Sequence, residues 1–181
     1  WHITLGTWFR DYIFYPISMS KPMKRLTSKA RKKIGNHFGP LIAGSIALFV
    51  VWLFNGLWHG AGWHYICFGM YHFVLIASAN AVEPYTKKLL EKLHIRREEG
   101  GYKCFRIVRT ALLVCIGELI FRAGSLRIAM RMLKKMFTDF NFKSFTDGTL
   151  LNLGMDKCDF LIVAVSVLIV LVISIANERG I

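Results

Sequence analysis

Hydrophobic positions in this chain fall in long uninterrupted runs, separated by short segments rich in Lys and Arg. No Asp, Glu, Lys or Arg occurs from Ile34 to Val82, a stretch long enough to cross a bilayer and return. Pro40 is expected to open the first span, Leu41 to Trp58. At 1.5 Å per residue it reaches about 27 Å, close to one hydrocarbon thickness. Gly60 and Gly62 permit a turn, because glycine accepts backbone angles that other residues resist. Trp63 to Val82 returns as the second span. Thr110 to Phe121 is a shorter third span that contains Glu118, with Arg122 one helical turn later, and Arg106 and Arg109 can snorkel to lengthen it. Phe160 to Ala176 is the cleanest, uncharged and rich in Val, Ile and Leu.

Two further segments have helical periodicity without the length or apolarity to span. Trp1, Leu5, Trp8 and Tyr12 share one face, and Pro16, which lacks an N–H, is expected to end that helix. Its aromatic residues, with Arg10 and Asp11, suit the membrane–water boundary. From Ser125 to Phe137, Leu126, Met130, Leu133 and Phe137 form one face and Arg127, Arg131 and Lys134 another, the pattern of a helix lying on a membrane surface. The expected fold is an all-α polytopic transmembrane bundle with about four membrane segments plus interfacial amphipathic helices.

Charge assigns the sides. Lys21 to Lys33 holds seven basic residues and no acidic one, and Glu83 to Arg109 holds eight basic and four acidic. The positive-inside rule makes both cytoplasmic, as the hairpin between them requires. Trp58 and His59 then lie toward the opposite face. Simple alternation puts the basic 125–137 segment outside, against the rule, so either the third span is re-entrant or packing overrides the rule there. The net charge of +13 lies between apolar spans, where it faces anionic headgroups, and no nucleic-acid-binding motif accompanies it. The chain opens at Trp1 with no signal peptide, so residues 1–181 are expected to be the carboxy-terminal part of a single membrane-embedded domain whose amino-terminal spans are missing.

The chemistry rests on histidines. His37 and His94 adjoin basic segments, and His64 and His72 suit packing roles on the second span. His59 lies between Trp58 and Gly60 at the membrane hairpin, and an intramembrane ionisable residue points to function by default. A buried histidine there has three uses: general base, metal or haem ligand, or proton relay. His59 and His64 are five apart, off the four-residue spacing that aligns two ligands on a helix. The four cysteines lack Cys-x-x-Cys spacing. Transport usually needs paired intramembrane acids and bases, and Glu118 with Arg122 is the pair available.

Trp1-His2-Ile3-Thr4-Leu5, then Trp8-Phe9-Arg10-Asp11-Tyr12 and Tyr15-Pro16, resemble the signature of the membrane-bound O-acyltransferase family. Gly56-Leu57-Trp58-His59-Gly60, with Trp63, Tyr65, Gly69 and His72, resembles its second and more diagnostic motif, and Phe121-Arg122-Ala123 before Ser125-Leu126 a further element. The likeness is greatest to the bacterial branch that transfers D-alanyl or acetyl groups to envelope polymers such as lipoteichoic acid or alginate. The resemblance implies that His59 is the general base and that His2 is the second characteristic histidine. Trp58 and Gly56, and Asn55 by its position, are expected to line the same cavity. It implies a thioester donor, a phosphopantetheinyl carrier protein or acyl-coenzyme A, with no tightly bound cofactor and no metal. The expected partners are the lipid bilayer, an acidic acyl carrier protein and the acceptor polymer, with no nucleic acid, and the expected location is the bacterial cytoplasmic membrane. The alternative from another class is a non-enzymatic transporter or flippase segment.

Overall fold

The computed structural model describes residues 2–139, 141–149, 151, 154 and 156–179, so Trp1 of the opening motif lies outside the described residues. Every regular element among the described residues is helical, giving an all-α fold. Among the described residues, three helices are long and apolar enough to cross a membrane: α3 (Lys21–His59), α4 (Trp63–Lys92) and Lys157–Asn177. This is a membrane protein. The chain divides into two compact units, Trp1–Lys134 and Lys135–Ile181.

The first unit opens with α1 (Ile3–Phe9), a π-helical turn (Arg10–Phe14) and α2 (Tyr15–Ser18). The helical run therefore passes through Pro16 and stops two residues later, contrary to the expectation that Pro16 ends it. Its first residues tolerate a proline, whose missing N–H needs no partner there, and Pro16 stands at that position of α2. The turn before it is widened, with the Tyr15 N–H bonded to the Arg10 carbonyl five residues back.

Ser20 caps α3 by accepting from the Met23 N–H, and the helix then runs through the basic segment expected as a loop. Its break comes at Gly35, where φ is 91° and ψ is 174°, earlier than the Pro40 start read from the sequence. Only a residue without Cβ takes that geometry cheaply. The chain turns sharply there: a Cβ on Gly39 would lie 2.7 Å from the Arg31 backbone. In a straight helix those residues would be about 12 Å apart along the axis. The basic half of α3 is thus folded back against the start of the apolar half, and Ala30, Gly39 and Ala43 are buried at the crease.

The apolar half of α3 and α4 form the expected hairpin, joined at residues 60–62. Facing pairs descend in antiparallel order: Gly56 against Tyr65, Trp52 against Gly69, Phe49 against Phe73, and His37 against Asn80. At the base, His37 Nε2 donates to the Asn80 carbonyl at 3.2 Å, so this exposed histidine ties the two helices together. Near the tip, Cβ atoms at Gly56 or Gly69 would press into the facing backbone. Such close approach is how helices associate in lipid, where apolar side chains gain little by leaving the solvent.

α5 (Gly100–Arg122) packs on α4, and the third segment read from the sequence is its second half. Phe68, Ile120, Ala123 and Ala129 form the buried cluster, flanked by Cys67, Tyr71, Ile116, Leu119 and Phe121. The Tyr71 hydroxyl donates to the Leu113 carbonyl at 2.9 Å. Gly124, at φ 66°, turns the chain into α6 (Leu126–Thr138), whose start Ser125 caps by accepting from the Ile128 N–H. One side of α6 carries the buried Ala129, while Phe137 is 82% exposed.

The second unit holds a 3₁₀ turn (Phe142–Phe145) and α7 (Lys157–Arg179). Asp156 accepts from the Cys158 and Asp159 N–H groups, and Asp159 accepts from the Asp156 N–H, a reciprocal cap. Leu161 to Val172 expose their large side chains on every face of α7. Such a surface is stable only against lipid or other apolar helices.

Candidate active site

The site is built where the α3–α4 hairpin turns. Gly60 follows His59 at φ 147°, and the next helix starts at Trp63, so the imidazole stands on the last turn of α3 with little backbone above it. Each glycine of the turn is closed over by a ring. A Cβ on Gly60 would lie 2.8 Å from the Tyr65 ring, and one on Gly62 would lie 2.5 Å from the His64 ring.

Aromatic rings hold His59 from several sides. Phe121 of α5 meets it edge-on at 4.9 Å between centroids, Phe68 of α4 at 6.0 Å, and Trp58 at 4.7 Å. Tyr65 lies 6.2 Å away and itself touches Phe121 at 5.0 Å. The ring is half-buried, held in orientation yet reachable.

His2 arrives from the other end of the unit. Its backbone is left-handed, φ 48° and ψ 31°, a region that histidine enters more readily than most residues. From there its ring reaches Trp58 at 5.1 Å and His59 at 6.1 Å. Two histidines 57 positions apart in sequence thus share one cluster with Trp58 between them. Trp58 is 53% exposed, and with Thr4, Leu5 and Trp8 it walls an apolar hollow of about 490 Å³ beside the histidines. Beyond α1, Arg10 and Asp11 pair at 2.8 Å, and the hydrogen bond from Arg10 holds the Asp11 carboxyl below its ordinary range.

The remaining expected positions fall as follows. Asn55 is half-buried one turn below His59 on the same helix. Gly56 is buried, and its surface is spent on the α4 backbone at Tyr65. His72 is a packing residue: it stacks on Trp52 at 5.1 Å, meets Phe68 at 4.7 Å, and faces Gly117, where a Cβ would lie 2.6 Å from its Nε2. Phe121 had only a motif resemblance to mark it, and a phenylalanine at the end of a helix gives no sign of which imidazole it will meet.

Comparison with known proteins returns relatives named for acetyl or D-alanyl transfer to alginate, teichoic acid or peptidoglycan. Over 179 residues, 99% of this chain, it is 31% identical to a probable alginate O-acetylase of Azotobacter vinelandii, covering 29% of that protein. It is 34% identical to a teichoic acid D-alanyltransferase of Bacillus subtilis over 88 residues, 49% of this chain and 20% of the relative. A peptidoglycan O-acetyltransferase of Helicobacter pylori is 28% identical over 136 residues, 75% of this chain and 21% of the relative. The chain is homologous to the membrane-bound O-acyltransferases. It spans under a third of the length of these relatives. No family model and no solved structure matches it.

Proposed function

We propose that the protein containing this chain is an O-acyltransferase that moves a small acyl group, D-alanyl or acetyl, from a thioester to a hydroxyl of a cell-envelope polymer in the bacterial cytoplasmic membrane. The observation that carries this reading is the convergence of His2 and His59 on Trp58, beside an apolar hollow, in a chain homologous to three kinds of envelope acyltransferase. An acetyl or D-alanyl group is small enough for such a hollow.

The reaction needs one base and no redox partner. The acceptor hydroxyl enters beside His59, whose neutral imidazole takes its proton as the oxygen attacks the thioester carbonyl. The carbon–sulfur bond breaks, the thiolate leaves, and the proton returns from imidazolium to sulfur. His2 hydrogen-bonds the acceptor or the carbonyl, and the rings of Phe121, Phe68 and Trp58 hold His59 in line. General-base help of this kind is worth about 10²–10⁴-fold in rate. Asn55, one turn below His59, lines the acceptor side. The donor is a phosphopantetheinyl carrier protein or coenzyme A, delivered from the side of the basic segment. An acidic carrier would be attracted to Lys21–Lys33 over about 8 Å at physiological salt.

The test is a reconstituted assay of the full-length protein in vesicles, with acyl-thioester donor and polymer acceptor supplied separately and together. Thiol release that requires the acceptor, and ester formed in equal amount, supports transfer. Substrate movement across the bilayer with no ester formed would instead establish a transporter. Repeating the assay with Lys29, Arg31, Lys32 and Lys33 changed to Gln asks about the donor. A raised KM for carrier-bound donor with unchanged KM for acyl-coenzyme A assigns the basic segment to carrier docking, and unchanged values for both remove that role.

A further inference from the structure

The fold-back at Gly35 borders a second, open hollow of about 440 Å³ at the opposite end of the span from His59. One wall is a single stripe of the basic helix: Lys24, Thr27, Ser28 and Arg31 line it, spaced as one helical face. A stripe turned toward a packing partner is ordinarily apolar, yet this one carries two cations and two hydroxyls. Ser18, from the end of α2, also borders it, its hydroxyl donating to the Tyr15 carbonyl at 3.3 Å. The facing wall is Pro40, Ala43 and Gly44, whose small side chains leave the space open.

Nothing in the local sequence neutralises these cations. No acidic residue occurs between Asp11 and Glu83, whose partners are Arg10 and Arg97. Two cations and two hydroxyls lining one hollow are a donor set that recognises phosphate oxygens. The position selects which phosphate. Pro40 to Gly44 begin the membrane-spanning half of α3, so the hollow lies at the level of lipid headgroups, where basic residues meet anionic lipid. From Pro40 to His59 is about 28 Å of helix, so this hollow is separate from the histidine cluster.

We propose that the crease between the two halves of α3 is a binding site for the phosphate of an anionic phospholipid headgroup, held by Lys24 and Arg31 with the hydroxyls of Thr27 and Ser28. The bound headgroup fastens the basic helix to the membrane face and fixes the angle at Gly35. This site stands independently of acyl transfer and survives if that reading fails.

The test exchanges the full-length purified protein with equal amounts of short-chain phosphatidylglycerol and phosphatidylcholine, and counts retained lipid by native mass spectrometry. Retention of phosphatidylglycerol is expected to exceed that of phosphatidylcholine by roughly tenfold or more. The preference should vanish in K24Q/R31Q and persist in K32Q/K33Q, which removes equal charge outside the hollow. If K24Q/R31Q does not elute as folded protein, Ser28→Glu puts a carboxylate beside both cations and should abolish the preference alike. A preference that survives these changes, or that falls equally with K32Q/K33Q, overturns the site. Displacement of phosphatidylglycerol by millimolar inorganic pyrophosphate or coenzyme A would assign the hollow to a soluble phosphate and overturn the lipid.

Discussion

His59 is placed by its neighbours more than by its own bonds. Gly60 at φ 147°, closed over by the Tyr65 ring, ends the helix directly after the imidazole, and Phe121 holds its far edge. Gly60→Ala forces a Cβ into a strained backbone and against that ring, at a cost of about 1–3 kcal/mol. We expect a lower midpoint of thermal inactivation together with a reduced kcat. Phe121→Ala should lower kcat more than it raises KM, and Phe121→Leu should recover part of the loss. Equal kcat in wild type and F121A would remove Phe121 from the positioning of His59. At the Arg10–Asp11 pair the sign is that of a lowered carboxylate: its contribution is present above the unfolded pKa and lost as pH falls through the folded one. The pairing therefore holds at neutral pH. At this scale His59 stood out because an ionisable group in an apolar run is conspicuous, whereas His2, in an aromatic opening segment, was marked only by the family resemblance. Phe121 did not stand out, because an apolar residue among apolar residues carries no mark of its contacts.

The elements follow from what a bilayer demands of a chain. The hairpin and α7 are readable because a run of uncharged residues of about bilayer length has few other uses. The Gly35 fold-back is not readable: one glycine in a basic segment looks the same in a loop, a kink or a sharp turn. The π-helical turn before Pro16 is equally hidden, since it is a choice of hydrogen-bond partner and leaves no pattern in side chains. Close packing of α3 on α4 depends on Gly56 and Gly69, and Gly69→Val pushes two methyl groups toward the Trp52 carbonyl. The hairpin should separate or shift, with a fall in the detergent melting midpoint of several degrees, corresponding to roughly 1–3 kcal/mol of overpacking. Gly44→Ala, which has open space around its Cβ, is the control and should not lower the midpoint, since alanine favours the helix over glycine.

For the whole molecule, the expected topology sets the basic segments on one side and the His59 turn toward the other. In protein with Cys67, Cys104, Cys115 and Cys158 replaced by serine, Ser28→Cys should react with a membrane-impermeant maleimide only in inverted vesicles. Ala61→Cys should react from the outside of intact cells. Labelling of both from one side would contradict the hairpin topology. The larger claim is that two histidines brought together across 57 residues form the acyl-transfer site of a protein that modifies its own cell envelope. The most direct measurement is the ester content of envelope polymer, released by mild base and identified by mass spectrometry. It is made in cells whose full-length protein is wild type, His59→Ala or His2→Ala at matched membrane abundance. Loss of the ester by about 10²–10⁴-fold is expected in His59→Ala and a partial loss in His2→Ala, and the wild type identifies the acyl group. Full acylation in His59→Ala would contradict that claim.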